Sequence, residues 1–201
     1  NSILLENGYT VTNNSLGSNV QAGIANALLH DATFSGKPKK EIAVLEVDER
    51  SSVRIYPYLK PDYLICNNIM RDSLARNAHT EFISYIINKD LPKSTTLSLN
   101  ADALVCATLA PDNLTRIYFG LDIDKSNEEG PAYLQDIVYC PKCGNQLKAE
   151  YIRYSHIGRM YCEQCDFCSP TPDFVLSDVD YENSLFTVNH HGKAEEFHLI
   201  N

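Results

Sequence analysis

The chain has 201 residues, 17 basic and 26 acidic, with a formal net charge of −9 and a pI near 5.1. That length suits one good-sized core, or one domain carrying a small stapled module, and the acidic balance excludes the electrostatic footprint of a nucleic-acid binder. Seven cysteines, an odd number, and the lack of an apolar run fit to span a bilayer or lead secretion imply a reducing, cytoplasmic setting without membrane insertion.

In chain order, Ser2–Glu6 is predicted helical with Gly8 as its left-handed C-cap, and Tyr9–Thr12 alternates like a strand. Val20, Ile24, Ala25, Leu28 and Leu29 keep helical spacing, with Ser18 or Asn19 as the expected cap. Ile42-Ala-Val-Leu-Glu-Val is a nearly continuous apolar run ending in the acidic tip Glu46–Arg50, the pattern of a buried parallel strand with polar residues at its carboxyl end.

The alternation continues with a short helix around Val53–Leu59, a strand at Tyr63–Cys66, a helix at Thr80–Ile87 and a strand at Thr96–Leu99. A helix at Ala103–Leu109 and a strand at Arg116–Phe119 follow. Repeated strand and helix predict an α/β domain with a mainly parallel sheet flanked by helices. Ligands of such sheets bind outside the carboxyl ends of the strands, which draws attention to Glu46–Glu49, Asn67–Arg76 and Asn100–Asp102. Beyond Gly130-Pro131 the style changes, to cysteine knuckles and then three short strand-like runs near Phe174–Leu176, Ser184–Val188 and Glu196–Ile200, with His190-His191-Gly192-Lys193 turning between the last two. The expected organisation is an α/β domain over 1–130, a zinc ribbon insertion within 131–171, and terminal antiparallel strands over 172–201 that complete the domain.

Cys140-Pro-Lys-Cys143 is followed, after eighteen residues that begin with Gly144, by Cys162-Glu-Gln-Cys165. Each short knuckle aims two thiolates at one point, so Cys140, Cys143, Cys162 and Cys165 are the candidate ligands of a closed, structural Zn²⁺ site. Cys168 forms a competing knuckle with Cys165 but is left as a spare, because four thiolates already complete such a site. His156, between the knuckles, has the chemistry to replace a thiolate, but nothing requires it, and a polar residue on the ribbon surface is the preferred reading. Cys66 and Cys106 read as small buried hydrophobes.

Leu45-Glu46-Val47-Asp48-Glu49 is compatible with a plain solvated strand end, and also with a Mg²⁺–nucleotide site, since Mg²⁺ takes hard oxygen ligands and only one or two from protein. Arg71-Asp72-Ser73-Leu74-Ala75-Arg76 and Asn100-Ala101-Asp102 are similarly two-sided, as a charged loop and a helix cap or as binding tips.

Taken in order, Asn14-x-x-Gly17-Ser18-Asn19, Leu45-Glu46-Val47-Asp48-Glu49, Asn68-x-x-Arg71-Asp72 and Leu99-Asn100-Ala101-Asp102, then the Cys-Pro-x-Cys-Gly knuckle and Tyr154-Ser-His-Ile-Gly158, resemble the central domain of the Mur ligase family. The likeness is to the branch whose ligase subunits amidate lipid II and whose central domain carries such a ribbon. It implies ATP and Mg²⁺ as cofactors, in an ATP-dependent carbon–nitrogen ligase that activates the α-carboxylate of D-glutamate in the lipid II stem peptide as an acyl phosphate. The implied partner is a GatD-like glutaminase subunit, which supplies ammonia.

By the same resemblance Glu46 is the metal-binding glutamate, and Glu46 and Asp72 are the candidate catalytic residues. Asn68, Arg71, Asn100 and Asp102 are the candidate nucleotide- and substrate-binding residues. Two departures temper the enzyme reading. No Gly-x-x-x-x-Gly-Lys-[Ser/Thr] phosphate loop occurs in these residues, so the 201 residues are expected to be a piece of a longer protein, inactive by themselves. Ser73 and Ala75 stand where the family pattern leads one to expect Gln and Asp, which keeps open a second reading, a catalytically degenerate zinc-ribbon scaffold that binds a protein partner.

Overall fold

The structure is a computed structural model that describes residues 1–16, 18–69, 80–122, 137–153 and 157–198. The chain divides into two compact units, Asn1–Lys60 and Pro61–Asn201.

The first unit begins with helix α1 (Ser2–Glu6). Gly8 follows it at φ 87°, where its N–H donates to Leu5 O and that of Tyr9 to Leu4 O, each at 3.0 Å. These two bonds make a Schellman cap, which closes the helix and turns the chain into strand β1 (Val11–Asn13). Helix α2 (Gln21–His30) starts at Val20 with no side-chain cap, contrary to the expectation for Ser18 or Asn19. The reason is local competition. The Ser18 hydroxyl accepts from Val20 N at 3.3 Å, ahead of the first helical turn, and the Asn19 side chain bonds Glu46 Oε1 instead, at 3.2 Å.

Strand β2 (Ile42–Val44) pairs in parallel with β1, Val11 opposite Ile42. It is shorter and wetter than the apolar run Ile42–Val47 implies: Ala43 and Val44 are exposed. In its two-stranded sheet β1 is its one hydrogen-bonded neighbour, so within this unit the apolar face gains no second strand to bury it. A 3₁₀ turn (Glu49–Ser51), capped by the Asp48 carboxylate on the N–H groups of Arg50 and Ser51, leads into helix α3 (Ser52–Ile55). Val11, Ile24, Ile55 and Tyr56 are the buried apolar residues of this unit.

The second unit is organised by a six-stranded sheet. Its strands are β3 (Tyr63–Cys66), β4 (Thr96–Asn100), β5 (Arg116–Leu121), β8 (Phe174–Asp180), β9 (Leu185–His190) and β10 (Lys193–His198), in the spatial order β10-β9-β8-β5-β4-β3. The pairings β3–β4, β4–β5 and β5–β8 are parallel; β8–β9 and β9–β10 are antiparallel. The first of the three terminal strands therefore joins the parallel sheet, through Phe119 opposite Phe174, instead of belonging only to an antiparallel meander. The last hairpin turns at His191 and Gly192, φ 49° and 76°, the two left-handed residues of a type I′ turn.

Leu97 and Leu99 alternate along β4 and are fully buried, as a strand's two-residue period requires. Helix α4 (Thr80–Lys89) buries Thr80, Ile83 and Ile87 along one stripe, and helix α5 (Leu104–Ala107) is buried throughout. The hairpin β6 (Lys148–Arg153) and β7 (Ile157–Tyr161) forms a separate two-stranded sheet. Leu104 of α5 packs in one cluster with Cys140, Leu147, Met160 and Cys162, so this hairpin and the cysteine knuckles share a core with helix α5. Among the described residues no helix is long and apolar enough to cross a membrane.

Candidate functional site

The four cysteines predicted as ligands converge. The Sγ atoms of Cys140, Cys143, Cys162 and Cys165 all lie within 4.8 Å of one another, with Cys140 to Cys165 at 3.6 Å and Cys143 to Cys162 at 3.5 Å. Zinc–sulfur bonds of about 2.3 Å in a tetrahedron set the sulfurs about 3.8 Å apart, so the donor set fits Zn²⁺ in both chemistry and spacing.

Local backbone geometry builds each knuckle. The N–H of Cys140 donates to Asn145 O at 2.7 Å and that of Gly144 to Cys140 O at 2.8 Å, with Gly144 at φ 75°. On the other side Cys162 N donates to Phe167 O at 2.9 Å. Lys142 N and Asn145 Nδ2 both approach sulfur at 3.4 Å, on Cys140 and Cys143. The Asn145 donors hold the Cys143 thiol down at about 6. Cys165 receives the Phe167 N–H, yet burial and the neighbouring thiols push it up to about 12. Four thiols packed this closely resist losing all their protons unless a cation shares the charge. Cys168 is exposed and outside the cluster, pairing by backbone with Tyr161, in keeping with its reading as a spare.

The strand tips are built differently in the two units. In the first, Asn14 is buried and grips Glu46 twice: its Nδ2 donates to Glu46 O and its Oδ1 accepts from Glu46 N, each at 2.9 Å. With the Asn19 bond on Oε1, the exposed Glu46 carboxylate is presented from a fixed backbone. Asp48, by contrast, spends its carboxylate on the 3₁₀ cap.

In the second unit Asn100 donates from Nδ2 to Asn67 O and accepts at Oδ1 from Asp102 N, each at 2.9 Å. It thereby ties the ends of β3 and β4 together. Asn68, an exposed residue, follows directly.

Asp102 faces inward. It is 1% exposed; Oδ1 accepts from Tyr151 Oη at 2.5 Å and Oδ2 from Leu121 N at 2.8 Å, while its backbone carbonyl takes the Gly158 N–H at 2.7 Å. A candidate for nucleotide contact is thus an internal tie between the sheet and the β6–β7 hairpin, and contact with a nucleotide through its carboxylate would require breaking those bonds. The sequence carried no signal for this, since Tyr151 stands 49 residues away. Arg71 and Asp72, with Ser73, Ala75 and Arg76, lie outside the described residues, as does His156.

No family model matches the chain. It is, however, 30% identical over 184 residues to the subunit MurT of lipid II isoglutaminyl synthase (glutamine-hydrolyzing) from Staphylococcus aureus strain COL, covering 91% of this chain and 41% of that protein. It is 34% identical over 177 residues to the MurT of Streptococcus pneumoniae strain ATCC BAA-255 / R6, covering 86% and 38%. The chain is a homologue of MurT. Among solved structures, a pseudomurein peptide ligase type C from Methanothermus fervidus superposes with a TM-score of 0.66 at 23% identity, over 98% of this chain and 38% of that one, which shows a Mur-ligase-like fold. The family likeness carried by the strand-tip motifs is thereby borne out. The chain spans about two fifths of the length of the MurT relatives it matches.

Proposed function

We propose that these residues are the central portion of a MurT-like, ATP-dependent ligase of peptidoglycan synthesis, acting in the cytoplasm on the α-carboxylate of D-glutamate in the lipid II stem peptide. The observation that carries this reading is the 30–34% identity to MurT over about nine tenths of the chain. In domain terms, residues 1–130 and 172–201 make the catalytic α/β domain and 131–171 its ribbon insertion, with Zn²⁺ on Cys140, Cys143, Cys162 and Cys165 as a structural staple.

The chemistry follows from the poor electrophilicity of a carboxylate. Its oxygen attacks the γ-phosphorus of ATP, ADP departs, and the resulting acyl phosphate offers ammonia a good leaving group; the amide forms as inorganic phosphate leaves. Mg²⁺, when bound, would neutralise the charge on the transferring phosphoryl group. Glu46 is the residue to hold it: Asn14 fixes its backbone and Asn19 its carboxylate, so the ligand oxygen needs little reorganisation. Asn68, Arg71, Asp72 and Asn100 are assigned to contacts with nucleotide and substrate, and Asp102 to holding the ribbon against the strand tip. Ammonia comes from a GatD-like glutaminase partner.

The test is amidation of lipid II by the full-length protein with its glutaminase partner, glutamine and Mg-ATP. Product is expected, and Glu46→Gln should lower turnover at least about a hundredfold, the scale of losing one preorganised electrostatic contact. A full-length complex that hydrolyses neither ATP nor glutamine would favour the scaffold reading instead.

A further inference from the structure

Besides Cys168, two cysteines stand apart from the four-thiol cluster, and the fold brings them together. Cys66 closes β3 and is half-buried; Cys106 lies in α5, fully buried. They are 40 residues apart in sequence, and their sulfurs are 3.3 Å apart. A disulfide bond is about 2.05 Å long, so closure asks for a movement of little more than about 1 Å at the sulfurs. We propose that Cys66 and Cys106 form a dithiol–disulfide couple, a modification site separate from the zinc thiolates, which closes under a hydroperoxide-class oxidant and staples the tip of β3 to α5.

The order of events follows from exposure. Cys66, the less buried residue of the pair, attacks one peroxide oxygen, the O–O bond breaks, and a sulfenic acid and water result. The Cys106 sulfur then attacks the sulfenyl sulfur; the S–S bond forms, the S–O bond breaks, and the departing hydroxide takes the Cys106 proton to leave as a second water. Two thiols have lost two electrons and one peroxide has been reduced to two waters, so no further reductant or oxidant is needed. Contact with Cys66 and burial both hold the Cys106 proton on, while the Ile69 backbone N–H points at that sulfur and partly offsets them. Cys106 therefore suits the role of the resolving thiol and not of the first to react.

The staple would bear on the strand tip. Cys66 is followed by Asn67, whose carbonyl accepts the Asn100 side chain at 2.9 Å, and then by Asn68. Oxidation would fix this turn from beneath, through α5.

The experiment treats the zinc-loaded protein with graded hydrogen peroxide, quenches it in denaturant with an alkylating reagent, and maps peptides without reductant. The expected result is a linked pair of peptides carrying Cys66 and Cys106 and an intact mass about 2 Da lower. Dithiothreitol should reverse both, with zinc still bound at the dose that closes half the pairs. Cys66→Ser and Cys106→Ala should each abolish the link. In Cys106→Ala, the sulfenic acid left without its partner should advance to sulfinic acid, about 32 Da heavier. If either variant misfolds by circular dichroism, the native protein decides alone. The idea is overturned if both cysteines remain alkylatable at doses that already strip the zinc, or if native Cys66 over-oxidises without a link forming.

Discussion

Tyr151 donates its hydroxyl to Asp102 at 2.5 Å, and this bond, with the Gly158 N–H on the Asp102 carbonyl, fastens the β6–β7 hairpin to the carboxyl end of a central parallel strand. The carboxylate that the tip sequence offers as a ligand is consumed in holding the tip's neighbour. Tyr151→Phe removes the donor and leaves a buried carboxylate oxygen short of a partner, at a cost of about 1–3 kcal/mol. The expected outcome is a lower denaturation midpoint in urea and faster hydrogen exchange at the Gly158 amide. Unchanged exchange at Gly158 would show that the tie is incidental.

The same tie makes an alkaline prediction. Burial, and then the negative charge and hydrogen bond of Asp102, raise the Tyr151 hydroxyl well above the ordinary tyrosine value. An acid whose folded pKa lies above its unfolded value contributes stability that is complete below the unfolded pKa, about 10, and is lost as pH climbs through the folded one. The chain has 12 tyrosines. In a tyrosinate absorbance titration Tyr151→Phe should delete a late, high-pH step from the native curve.

Gly158 is required for contact, not for an unusual backbone angle. A Cβ there would lie 2.1 Å from the Tyr151 carbonyl oxygen and 3.0 Å from the Ile152 Cα, both of them backbone atoms that cannot swing aside. Gly158→Ala should therefore prise β6 from β7 and cost at least about 1–3 kcal/mol, seen as a cooperative loss of ribbon amide protection while β4 and β5 stay protected. Wild-type protection in the β6–β7 hairpin would refute the close approach.

The cysteine cluster predicts about one tightly held Zn²⁺ per chain by elemental analysis. Cys143→Ser, or a strong chelator, should loosen the ribbon and leave the sheet core of Leu97 and Leu99 folded. Because the metal binds thiolates, acid should release it as the cysteines regain protons. Protein purified without chelator and carrying no zinc would count against the site.

What could be read beforehand depended on how local its cause was. The knuckles were legible because Cys-x-x-Cys is complete in four residues. Tyr63–Cys66 and the helix beginning at Thr80 were legible from short-range periodicity, which burial at Ile83 and Ile87 then expressed. Ile42–Val47 misled because apolar composition reports what a strand is able to bury, not which neighbours it gets; β2 has β1 alone in its sheet. Ser18 and Asn19 look like caps by residue type, but their side chains are claimed by Val20 N and by Glu46. Asp102 with Tyr151, and Cys66 with Cys106, are meetings across 49 and 40 residues, and no local pattern announces either.

The central claim, activation of a carboxylate at strand tips that present Glu46, is tested most directly by oxygen transfer. Lipid II labelled with ¹⁸O in the D-glutamate α-carboxylate is turned over by the full-length protein and its glutaminase partner with Mg-ATP, and the released inorganic phosphate is weighed by mass spectrometry. An acyl phosphate route predicts one labelled oxygen in the phosphate for each amide formed, with label transfer falling alongside amidation in Glu46→Gln. Amide produced with unlabelled phosphate would contradict it.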